Sequence, residues 1–138
     1  MRRSLPVYLI AFLLTAVQAW AVENMPADEA LRLASAGKTL LIDIRTPGEW
    51  KQTGVPKGAQ MVDFYQPPAS FLDAIAKATG GDKSKPVALI CRTGNRSAKA
   101  AEILAAQGYT QIVHVGEGVA GSRLGPGWLA RGLPVEAP

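Results

Sequence analysis

The chain has 138 residues, a length that supports one domain built on one hydrophobic core. Lysine and arginine outnumber aspartate and glutamate 15 to 11, for a net charge of +4, but no basic run is interleaved with aromatics, so a nucleic-acid-binding reading has no support. A single cysteine, Cys91, excludes a disulfide within the chain.

The chain opens with the three parts of a secretory signal peptide in order. Arg2 and Arg3 are basic, Leu5 to Val17 is an almost unbroken apolar run, and Ala19-Trp20-Ala21 is an A-x-A cleavage site. The apolar run is 13 residues long, whereas a spanning helix needs about 20. The expectation is therefore cleavage after Ala21. Residues 22–138 would form a periplasmic domain with no stable membrane association. In that oxidising space cysteines usually pair. Cys91 is then a buried inert residue, half of an intermolecular bond, or a reactive thiol.

Beyond Ala21, Pro26 to Ala36 predicts a helix, with a proline and acids at its start, Gly37 at its end, and Ala30, Leu33 and Ala34 on one face. Leu40 to Ile44 is a short apolar strand running into the charged turn "RTPGEW", and Ala59 to Phe64 is a second strand. Pro68 opens another helix, with Phe71, Leu72, Ile75 and Ala76 on one side, closed by Gly80 and Gly81. Pro86 to Cys91 is nearly continuous apolar sequence, as in a strand covered on both faces. A helix, "SAKAAEILAAQG", and a strand, "TQIVHV", follow, and the glycine-rich tail from Gly116 reads as loop with a short turn near Trp128. Strands alternating with helices predict an α/β fold with a mostly parallel central sheet flanked by helices.

This order places Cys91 at the carboxyl end of a strand, where open α/β sheets present their sites. The loop "CRTGNRS" must turn sharply, and Gly94 supplies the freedom. Curled round the sulfur, its amides form an anion nest, the next helix adds the positive end of its dipole, and Arg92 and Arg96 add charge. All three favour a thiolate over a thiol.

The chain resembles a single-domain rhodanese of the exported, thiosulfate-cleaving kind. "LLIDIRTPGEW" is similar to the family's first motif through Asp43, Arg45, Glu49 and Trp50. "GVPKGAQ" resembles the stretch that follows it, "CRTGNRS" the active-site loop, and "GPGWLARGLPV" the closing segment. Two departures stand out. The stretch Gly54-Val55-Pro56 lacks the family's common histidine and carries an extra residue, and "GEGVAGSRLGPG" replaces the usual glycine pair. The resemblance implies a sheet of about five strands and ping-pong sulfur transfer. Cys91 would take a sulfane sulfur from thiosulfate or a similar donor as a persulfide, then pass it to cyanide or a thiol. No metal or organic cofactor is implied.

Within that reading Cys91 is the nucleophile, and Arg92, Thr93, Gly94, Asn95 and Arg96 form the donor-binding loop, with Arg96 pinning the anion. Asp43 and Arg45 are expected as a buried pair bracing the cysteine loop, and Trp128 as a candidate pocket wall. His114, Trp50 and Lys99 are expected to be structural or solvated. Two alternatives stay open. One is a cysteine-loop phosphatase or arsenate reductase, although those loops place five residues between Cys and Arg and this one places four. The other is a sulfur-carrier or binding module without turnover, served by a protein sulfur acceptor.

Overall fold

The computed structural model describes residues 22–138, and the segment read as a signal peptide lies outside them. Helix α1 (Ala27–Ser35) precedes strand β1 (Leu40–Asp43), helix α2 (Pro47–Thr53) and the short strands β2 (Val55–Pro56) and β3 (Gln60–Met61). Helix α3 (Pro68–Thr79), strand β4 (Val87–Ile90), helix α4 (Asn95–Ala106) and strand β5 (Ile112–Val115) follow, and β6 (Val135–Glu136) comes last. Four strands pair in parallel in the order β3-β1-β4-β5, with helices flanking the sheet. A fifth position is held by a single bridge, where Asn24 lies parallel to His114 on the outer edge of β5. β2 and β6 pair antiparallel apart from this sheet.

The central strands are apolar because both faces are covered. Val87 and Leu89, with Cys91 beyond them, pack with Phe71 and Ile75 of α3 and with Ala100, Ala101 and Leu104 of α4. Ala88 and Ile90 point the other way, toward Ala27 and Ala30 of α1, Leu41, Val115 and Trp128. Full burial of each Leu, Ile or Phe here is worth about 1.5–3 kcal/mol. α1 departs slightly from expectation. Its sheet-facing stripe is Ala27, Ala30, Leu31 and Ala34, and Leu33 falls outside it. The helix is pinned at its first residue, whose N–H donates to Glu117 Oε1 at 2.6 Å. α2 begins at Pro47 behind a capping box, in which the Thr46 hydroxyl accepts from the Glu49 N–H and Glu49 Oε1 accepts from the Thr46 N–H.

Register positions the site. Asp43 lies opposite Ile90, and Ile90 opposite Val115, so the loops after β1, β4 and β5 leave the sheet side by side. β1 and β4 are also where the strand order changes direction, the place open α/β sheets put their ligands. Cys91 emerges there.

Candidate active site

Cys91 follows β4 directly and its side chain is almost fully enclosed. Gly94 turns the chain with φ +96° and caps α4. The sulfur accepts the Gly94 N–H at 3.2 Å and the Ser97 N–H at 3.4 Å, and Ser97 Oγ stands 3.5 Å away. The thiol therefore sits against the first turn of a helix, whose amides and dipole favour negative charge.

The tail insertion clamps this loop from outside. The Val119 N–H donates to the Cys91 carbonyl and the Ala120 N–H to that of Arg92, both at 2.9 Å. A Cβ at Gly94 would run into the Gly116 carbonyl, and one at Gly118 into the Arg92 carbonyl. Both positions must stay glycine for the two loops to lie this close. Glu117, between Gly116 and Gly118, fastens the clamp to the rest of the domain. Its carboxylate accepts from the Ala27 and Gly127 N–H groups and from Arg131. Burial pushes its carboxyl up, but Arg131 and the two amides outweigh that and leave it below its ordinary value. Sequence reasoning misses this latch, because its partners lie far apart along the chain. The available signal was a lone acid flanked by glycines, followed by Arg131.

The structure moves three expected roles. Asp43 and Arg45 do form a buried ion pair, at 2.8 Å. However, Arg45 spends its other donors on Thr53 Oγ1 and the Gly54 carbonyl, so the pair braces α2 rather than touching the cysteine loop. Arg96 does not present a free fork to an anion. Its two terminal nitrogens donate to Glu49 at 2.7 and 2.9 Å, and its guanidinium lies 5.4 Å over the Tyr65 ring. Trp128 is no pocket wall. It is fully buried in the core with its indole N–H on the Pro134 carbonyl, because the tail folds back across the sheet. The neighbouring Leu129 instead lines a cleft of about 180 Å³ beside the cysteine loop, with Arg45, Glu49, Gln52, Thr53 and Arg92, and Cys91 itself is not part of that lining. Arg92, Thr93 and Asn95 are exposed, as is Lys99. Arg92 makes no ion pair among the described residues.

The Arg96 hydrogen bonds hold the Glu49 carboxyl down at about 2, well below the usual carboxylate value, and the same pairing raises the Arg96 guanidinium. Because the folded value is depressed, the stabilisation is present above the unfolded carboxylate value and is lost as pH falls from there toward 2. Glu49→Gln should therefore lower the melting temperature at neutral pH, with the difference from wild type closing as the solution is acidified. Melts across that range check this, and a pH-independent difference would mean that the pair's charge contributes nothing.

Residues 26–121 match the Rhodanese-like domain family. The chain belongs to that family. A sulfurtransferase of Allochromatium vinosum is 32% identical to this rhodanese-like chain over 107 residues, covering 78% of this chain and 87% of the relative. The thiosulfate sulfurtransferase GlpE of Pseudomonas savastanoi pv. phaseolicola is 29% identical over 96 residues, covering 70% of this chain and 82% of GlpE. The solution structure of the polysulfide-sulfur transferase homodimer from Wolinella succinogenes superposes with a TM-score of 0.64 at 28% identity, covering 84% of this chain and 79% of that one. The reaction class this kinship supports is sulfur transfer.

Proposed function

We propose that this rhodanese-like domain moves a sulfane sulfur from thiosulfate or a similar donor to a thiophilic acceptor through a persulfide on Cys91. The observation that carries the reading is the sulfur's position, held by the Gly94 and Ser97 amides at the start of α4. In the first half-reaction the Cys91 thiolate attacks the outer sulfur of thiosulfate. A sulfur–sulfur bond forms on the enzyme, the bond to the sulfonate sulfur breaks, and sulfite leaves with the electron pair. In the second, cyanide or a thiolate attacks the terminal sulfur, and the Cys91 thiolate leaves. Both halves conserve charge, and neither needs a cofactor.

Arg92 is the donor's cation in this account, because Arg96 is committed to Glu49. The same commitment speaks against a phosphatase, whose loop arginine must be free to hold phosphate. Assaying thiocyanate release with thiosulfate, polysulfide and a mercaptopyruvate-like donor tests the reading, alongside an aryl phosphate. Sulfur turnover with at least one donor is expected, and Arg92→Ala should lower kcat/KM for a dianionic donor about tenfold, the worth of one charge-assisted contact. Hydrolysis of the phosphate with no sulfur turnover would overturn it.

The N-terminal pattern supports export, with the domain acting in the periplasm as residues 22–138. Mass spectrometry of protein from an exporting cell should find Val22 at the N-terminus. An intact Met1 in the membrane fraction would contradict this.

A further inference from the structure

His114 is the chain's single histidine, and its place between two valines on β5 suggests a packing residue. The structure gives its ring a more specific neighbour. His114 is 6% exposed and Ser97 is fully buried, and His114 Nδ1 stands 2.9 Å from Ser97 Oγ. The same hydroxyl stands 3.5 Å from Cys91 Sγ and 3.1 Å from the Gly94 carbonyl. A line of hydrogen-bonding atoms thus runs from the sulfur through Ser97 to the imidazole, behind the cysteine loop. The hydroxyl has one proton to give, and the sulfur, the Gly94 carbonyl and Nδ1 compete for it. Nε2 has no protein partner among the described residues. Among the described residues the one fully buried side-chain nitrogen or oxygen without a partner is Trp50 Nε1, and His114 Nε2 is not another.

We propose that His114 is a positioning residue for Cys91, acting through Ser97: when the thiol ionises, the imidazole changes tautomer and the Ser97 hydroxyl turns its proton onto the sulfur. In the thiol state the Cys91 S–H donates to Ser97 Oγ, the Ser97 O–H donates to Nδ1, and the ring carries its proton on Nε2. On ionisation the thiol proton passes to Oγ, the hydroxyl proton to Nδ1, and the Nε2 proton to water. Ser97 and His114 each gain one proton and lose one. The net change is a thiolate and one proton released. Nδ1–H now donates to Oγ, and the Ser97 O–H donates to the sulfur beside the two amides.

The ring stays neutral in both states, and burial, which pushes the His114 imidazole below its ordinary value, suits that role. Without a donor at Nδ1 the nearer Gly94 carbonyl keeps the hydroxyl proton, and the thiolate loses its third hydrogen bond. The other charges around the ring are already placed. The N-terminal segment beside β5 brings the exposed Glu23, and α4 brings Arg96, paired with Glu49, and the exposed Lys99 and Glu102. The loop after β5 brings Glu117, tied to Arg131, and β4 brings none.

The proposal rests on Cys91 acting as a thiolate nucleophile, but its test needs no sulfur donor. With one histidine, ¹⁵N-labelled ring nitrogens of protein lacking a histidine tag give one pair of signals. At a pH where the alkylation rate of the wild type has reached its plateau, so that the thiol is ionised, the wild type should show the Nδ1–H tautomer, and Cys91→Ser, whose hydroxyl stays protonated, the Nε2–H tautomer. The same tautomer in both overturns the proposal. Alkylation of Cys91 by iodoacetamide at neutral pH should slow about tenfold or more in His114→Leu, the worth of one hydrogen bond to a charged group. His114→Asn, whose amide can donate from the Nδ1 position, should stay within about twofold of wild type. The three rates should converge at strongly alkaline pH, where any thiol is ionised. A folded His114→Leu that alkylates at the wild-type rate, or an Asn variant as slow as the Leu variant, also overturns it. Tautomer coupling without any persulfide would sink the sulfur-transfer reading alone. A persulfide without coupling would sink this one alone.

Discussion

Asp43→Ala should destabilise the domain by about 3–5 kcal/mol, because it strands a buried guanidinium. Arg45 is 1% exposed and, among the described residues, receives its only countercharge from Asp43, through Nε and one terminal nitrogen. The acceptors left behind, Thr53 Oγ1 and the Glu49 and Gly54 carbonyls, are neutral. Asp43 Oδ1 also accepts the Arg45 N–H, so the turn after β1 loses a hydrogen bond as well. Set against a total stability of about 5–15 kcal/mol, this is a large fraction. The melting temperature should fall by on the order of 15 °C. Asp43→Ala combined with Arg45→Met should recover part of the loss, since an apolar pair leaves no charge to desolvate. Thermal melts of the three proteins decide this, and a single Asp43→Ala variant melting with wild type would show that Arg45 needs no countercharge.

The same residues show how far sequence reading reaches. Asp43 and Arg45 are two residues apart at the end of an apolar strand, and their pairing was readable because it is local. So were β4, the cysteine, the Gly94 turn and α4, which follow one another without interruption. What escaped was long-range. Arg96 meets Glu49 across 47 residues, His114 meets Ser97 across 17, and the Ala27 N–H meets Glu117 across 90. Each contact depends on β1, β4 and β5 ending at one level of the sheet, a register that no single segment's periodicity contains. Trp128 departs from the pocket-wall expectation for a related reason. A glycine-rich tail reads as surface loop, but here the Trp128 N–H donates to the Gly118 carbonyl and the tail folds over the sheet, carrying the indole into the core.

The largest effect on activity is expected at Cys91. Cys91→Ser changes one atom in an enclosed site whose hydrogen-bond donors, the Gly94 and Ser97 amides, suit oxygen as well as sulfur. The variant should fold and melt close to wild type. It should nonetheless transfer no sulfur, because an alkoxide is not available at neutral pH and an oxygen cannot hold a sulfane sulfur as a persulfide does. An alanine at the same position would empty the site and confuse lost chemistry with lost packing, so serine is the informative change.

The decisive measurement is the intact mass of residues 22–138 after exposure to excess sulfane-sulfur donor, thiosulfate or polysulfide, and removal of that donor. The account predicts wild-type protein heavier by one sulfur atom, returned to its starting mass by cyanide with release of thiocyanate, and a Cys91→Ser variant whose mass never changes. A folded wild-type protein that gains no sulfur from any of these donors, or a Cys91→Ser variant that gains as much as wild type, would contradict it.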